Sequence, residues 1–193
     1  MKSRESEESE ELDLVIDDRP MSKEEIIQDC LNYHKSVAFH GKKEDLDKIL
    51  VHIPYHFALK LDNEIRPEHI IGCQQYYNHE PFTEMVPPAW YTEFCTYCKE
   101  NKDHNCALVI YDLTKCEPSK QVYLNSLLLN RSLRADRWPL PSKSAVFVMV
   151  GDKNEVEYEY FNLTGDVFRR LSHIFLDEDW KNKPETSSSS KAE

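Results

Sequence analysis

The chain has 193 residues, 40% apolar content and a formal net charge of −11. That length predicts one domain with a sizeable core. The acidic balance disfavours general binding to a phosphate backbone, which needs clustered Lys and Arg. With only four glycines and no G-x-G-x-x-G or Walker-type run, nucleotide binding by those loops is not expected.

The charge is uneven. Residues 1–20 hold eight acids against Lys2, Arg4 and Arg19, a net of −5 that leaves −6 for the rest. This stretch is Ser-rich and poor in aromatics, so it reads as a disordered acidic leader. It has no apolar core of the kind a secretory signal carries. No run in the chain approaches the ~20 apolar residues needed to cross a bilayer. The expectation is an intracellular protein, nuclear or cytoplasmic. Its six cysteines are then reduced thiols or metal ligands, not a disulfide framework.

Within the leader, Glu11-Leu12-Asp13-Leu14-Val15-Ile16-Asp17-Asp18 is a short apolar run between acids. One reading is a segment packed loosely on the domain. The other is a peptide that adds a strand to the sheet edge of a partner, with acids meeting basic residues beside the groove. Leu12-Asp13-Leu14-Val15 followed by Ile16-Asp17-Asp18 resembles a SUMO-interacting motif. The resemblance implies SUMO or a sumoylated protein as partner, and Leu12, Leu14, Val15 and Ile16 as the contact residues.

Residues 21–180 read as a single domain. Ser22-Lys23-Glu24-Glu25 is a capping box, and the apolar spacing from Ile26 to Ala38 predicts an amphipathic helix over 23–39. Cys30 and His34 share its apolar side and read as core residues. Lys43–Val51 predicts a second helix and Tyr55–Leu61 a strand. His52 and His56 are four apart, but Pro54 between them breaks the helical face a zinc protease needs. Pro67 suits the first turn of a third helix over Glu68–Tyr77, and residues 79–88, with three prolines, predict a loop.

Ala89–Phe94 is an aromatic, strand-like run, and Cys106–Leu113 predicts a buried strand. Residues 119–135 fit a helix better than a buried run. Ala145–Val150 and Glu155–Phe161 predict a hairpin, its second arm alternating acids with apolar residues. Glu155, Glu157 and Glu159 read as a solvated face. Thr164 or Asp166 can cap a last helix through Phe175, and residues 181–193 predict a disordered tail.

The chemistry concentrates between Cys95 and Cys116. Cys95 and Cys98 form a C-x-x-C pair, a spacing that lets two thiolates hold one zinc from a tight turn. His104 and Cys106 are the nearest donors to complete a tetrahedron, with Cys116 and Cys73 as alternatives. Zinc is therefore the candidate cofactor. The words from Phe94 to Asn101 resemble the opening of a Nanos-type zinc finger, but the later C-x-x-C half of that family is absent, so its RNA binding is not implied. A redox C-x-x-C wants a helix N-terminus that lowers the thiol pKa, and none is evident. No G-x-S-x-G elbow is present.

These observations predict an α+β fold. N-terminal amphipathic helices pack on a small mixed or antiparallel sheet, with a C-terminal hairpin plus helix. The functional expectation is a non-enzymatic adaptor or regulatory protein that binds other proteins. The alternative is a hydrolase or nuclease-like enzyme with a Cys/His-rich site around residues 95–116.

Overall fold

The computed structural model describes residues 21–61, 64–76, 83–134, 137–151 and 163–176. The acidic leader, the expected hairpin arm Glu155–Phe161 and the 181–193 tail lie outside the described residues.

The capping box forms as its spacing predicts. The Ser22 hydroxyl accepts from the Glu25 amide, and the Glu25 carboxylate accepts from the Ser22 amide. The helix it opens, α1 (Lys23–Asn32), is shorter than the expected 23–39. His34 adopts a left-handed backbone at φ 52°. The chain then enters β1 (Ser36–Gly41), where Val37, Ala38 and Phe39 are completely buried. Their helical spacing misled because this strand is covered on both faces. Next come α2 (Lys43–Leu50) and β2 (His56–Lys60), both as expected.

The third helix, α3 (Pro67–Ile71), starts at Pro67 and stops at Gly72, whose φ of 76° turns the chain into β3 (Cys73–Tyr76). β3 pairs antiparallel with β4 (Thr83–Val86), which occupies part of the expected loop. The aromatic run is helical. α4 (Ala89–Glu100) carries Trp90 and Phe94 inward and both cysteines of the C-x-x-C pair. β5 (Cys106–Tyr111) is the buried strand read from the sequence. The 119–135 stretch is helical but broken, into α5 (Pro118–Gln121) and α6 (Asn125–Asn130) with a 3-10 turn between. Two-residue β6 (Ser132–Leu133) pairs with β7 (Trp138–Pro139). Then follow β8 (Ser144–Gly151), a short α7 (Gly165–Arg169) capped by the Thr164 hydroxyl, and β9 (Ser172–Phe175). Ile174 and Phe175 are thus strand residues, not the end of a helix.

The sheet corrects the expected fold class. Its five strands run in the order β2-β5-β8-β1-β9, and every pairing among them is parallel. The fold is α/β, a parallel sheet with helices on both faces, rather than helices on a small mixed or antiparallel sheet. The physical reason was visible in CALVIY and SAVFVMV. Those runs are apolar at nearly every position, which fits strands buried on both sides. β8 takes parallel partners on both sides, β5 and β1.

Successive residues feed two cores. Val37, Phe39, Val109, Phe147 and Met149 point to the face covered by Ile27 and Leu31 of α1 and Leu46 and Ile49 of α2. Phe39 and Phe147 meet edge to face at 5.3 Å, a contact worth about 0.5–1.5 kcal/mol beyond area burial. Ala38, Leu108, Ile110, Val146 and Val148 point to the other face, which α3, α4, α6 and α7 cover with Ile70, Phe94, Leu127 and Val167. Among the described residues, no helix is long and apolar enough to cross a membrane.

Candidate functional site

In an open parallel sheet, ligands favour the crevice at the carboxyl ends of the strands where the chain's connections diverge to opposite sides. Here that point lies between β1 and β8. The chain leaves β1 toward β2 at one edge and leaves β8 toward β9 at the other. The last pair in the register is Gly41 with Gly151.

Beside Gly41, on the side of β1 away from β8, the chain continues the β1–β9 ladder into Leu176. A Cβ on Gly41 would lie 2.9 Å from Leu176 Cβ, and the Leu176 amide donates to the His40 carbonyl at 2.7 Å. Leu176 is 5% exposed. Only Lys42 separates β1 from α2, so no loop rises there to cradle a phosphate. At the end of the neighbouring β5, Asp112 has a left-handed backbone at φ 59°. Its carboxylate meets Lys115 Nζ at 2.7 Å and Lys60 Nζ at 3.7 Å. The carboxylate beside the crevice is therefore already paired with two ammonium groups.

One step back from the edge, His40 Nε2 lies 2.8 Å from His173 Nδ1, and His173 Nε2 lies 2.8 Å from the Phe168 carbonyl. A carbonyl only accepts, so His173 carries its proton on Nε2 and its Nδ1 accepts from His40. Burial, and then the neighbouring His173, hold the His40 pKa down at about 4. Phe175 stacks on His40 at 4.5 Å and Phe168 on His173 at 3.8 Å. Phe168 and Phe175 are exposed beside them.

The expected metal residues lie at the opposite end of the sheet. Cys106 opens β5, its amide donating to the Lys143 carbonyl just before β8. Cys95 and Cys98 stand one turn apart on α4 rather than in a tight turn, because Ala89–Phe94 continues as helix into them. Cys95, Cys98, His104 and Cys106 all border one cleft of about 730 Å³. Cys116 is buried in the core, and Cys73 opens β3; neither borders the cleft.

Within the cleft the donors are differently engaged. The Cys98 thiol is pushed up to about 12, first by burial and then by the neighbouring Cys106, with which it shares a hydrogen bond. Burial likewise raises Cys106. The His104 ring lies flat on Tyr55, 3.8 Å between centroids and 8° between planes. Among the described residues, no three His, Cys, Asp or Glu side chains are arranged to hold a metal ion. The Nanos-like wording therefore sits on a helix and brings no finger with it.

Other sequence candidates have structural roles. Cys30 belongs to the core, and His56 Nδ1 meets the Ile53 carbonyl at 2.7 Å. The leader residues Leu12, Leu14, Val15 and Ile16 lie outside the described residues.

Sequence reasoning missed Tyr91, Lys143 and Leu176. Tyr91 spans the cleft wall, its hydroxyl donating to the Pro139 carbonyl at 2.6 Å. No local motif announces such a contact, since its partners lie 48 residues apart. Leu176 follows Ile174 and Phe175, which the helical spacing places in a last helix and the structure places in the edge strand β9.

The crystal structure of a putative ATPase from Cytophaga hutchinsonii is similar at a TM-score of 0.48 and 12% identity, over 81% of this chain and 47% of that one. The chain thus spans less than half of that protein's length, and at this level the likeness carries no activity across. No protein-family model matches the chain, and no curated protein matches it.

Proposed function

We propose that this protein is a non-enzymatic adaptor or regulatory protein, intracellular in setting, that binds other proteins through its acidic-apolar leader. The observation that carries the reading is the direct passage from β1 to α2: only Lys42 lies between Gly41 and Lys43, so no loop rises at the crevice to cradle a phosphate. The enzymatic alternative around residues 95–116 is disfavoured by the contacts there, since Cys98 shares its hydrogen bond with Cys106 and the His104 ring is stacked on Tyr55.

On this reading the α/β body is a scaffold, and Leu12, Leu14, Val15 and Ile16 supply the contacts that fill a partner's groove. The test is calorimetric titration of purified SUMO into the full chain and into a Leu14→Ala/Val15→Ala variant. Saturable binding by the full chain, weakened at least tenfold in the variant, supports the proposal. Absence of SUMO binding, together with turnover of a nucleotide or ester substrate by the same preparation, would overturn it.

A further inference from the structure

The cleft at the amino ends of β5 and β8 joins a thiol-bearing lining to a basic rim, a combination that the adaptor reading does not use. Its volume of about 730 Å³ falls within the roughly 300–1,000 Å³ typical of small-molecule sites. Its lining includes Cys95, Cys98, Cys106 and Leu140, of which Cys106 and Leu140 are buried. Cys98 and Cys106 share a hydrogen bond there, and their sulfurs present polarisable surface. The wall is braced, since the Tyr91 hydroxyl holds the Pro139 carbonyl across it.

The rim is different in charge. Lys99, Lys102 and Lys143 border the cleft, and none of the residues lining it is Asp or Glu. This occurs in a chain with 35 acids against 24 Lys and Arg, so the cleft is a local concentration of positive charge on an acidic protein. Lys143 is placed there by contact. Its ammonium donates to the Lys102 carbonyl at 3.3 Å, which draws it toward the end of α4. Lys99 sits in the last turn of α4, where a cation is also favoured by the helix dipole.

We propose that this cleft binds a small amphipathic carboxylate, its apolar body on the thiol-lined floor and its head group among Lys99, Lys102 and Lys143. Charge complementarity selects an anion, and the neutral floor selects an apolar body behind it. An inorganic anion lacks that body, and a neutral apolar molecule leaves the three ammonium groups unused.

The cysteines report occupancy directly. The probe is decanoate, with decanol as its neutral counterpart, added to the full reduced chain. Protection of Cys95 from iodoacetamide is followed by peptide mass spectrometry, with Cys73, partly exposed and away from the cleft, as the internal control. Decanoate is expected to slow Cys95 labelling saturably while leaving Cys73 unchanged. Decanol should need at least a tenfold higher concentration for the same protection. A Lys99→Gln/Lys143→Gln variant, with an unchanged melting curve, should weaken decanoate at least fivefold and leave decanol unaffected. Equal protection by decanoate and decanol, protection that survives in the variant, or no protection of Cys95 at all would each overturn the proposal.

Discussion

Acidification should destabilise this fold through His40, by an amount the structure bounds. The folded-state pKa of about 4 lies below the ordinary value of 6.5. The unfolded chain therefore binds a proton that the folded chain refuses between those values, and stability falls as pH drops from 6.5 toward 4. A shift of about 2.5 units corresponds to roughly 3.4 kcal/mol at 1.36 kcal/mol per unit. His40 is only half buried, and solvent screening reduces that to about 1–2 kcal/mol. For a domain of this size, such a loss lowers Tm by about 2–8 °C.

Other groups titrate in the same window, so a difference measurement isolates His40. His40→Phe keeps an aromatic ring against Phe175 and removes the titrating nitrogen. Melting curves of both proteins between pH 7.5 and pH 4 are expected to diverge, the parent losing more stability than the variant. Parallel losses in the two proteins would refute the reasoning, because protonation of His40 would then cost nothing that Phe avoids.

Further predictions concern the parts that hold the sheet ends. Arg131 donates to the carbonyls of His34 and Ser144, tying the approach to β1 to the start of β8; Arg131→Ala should cost about 2–3 kcal/mol in chemical denaturation. Gly72 combines a φ of 76° with Trp138 2.9 Å from the site of a Cβ, so Gly72→Ala should destabilise by about 2–4 kcal/mol; a change below 1 kcal/mol would show that β3 and β4 readjust freely. Elemental analysis of the reduced chain is expected to find no stoichiometric zinc, since among the described residues no three His, Cys, Asp or Glu side chains are arranged to hold a metal ion. One zinc per chain, lost in Cys98→Ser, would show that the four donors do converge.

Much of the local structure was legible in the sequence, and the reasons it stopped are physical. The Ser22–Glu25 box, α2, β2 and β5 each follow from a signal contained within a few residues. The sheet's parallel order does not, because it depends on which distant runs lie side by side. Periodicity failed at Val37 and Ala38, where burial on both faces removes the alternation that marks a strand. The C-x-x-C pair was placed in a turn because its aromatic lead was taken for a strand; Trp90 and Phe94 instead form the buried stripe of α4. The four candidate ligands all border one cleft. The cleft's basic rim was not legible, because Lys143 joins Lys99 and Lys102 only through the fold.

The direct passage from β1 to α2, with only Lys42 between them, carries the case for a scaffold rather than an enzyme, and calorimetric titration of magnesium-ATP into the full chain tests it most directly. No saturable heat at millimolar nucleotide is the expected result. Tight binding to the unaltered chain, with release of phosphate, would contradict it.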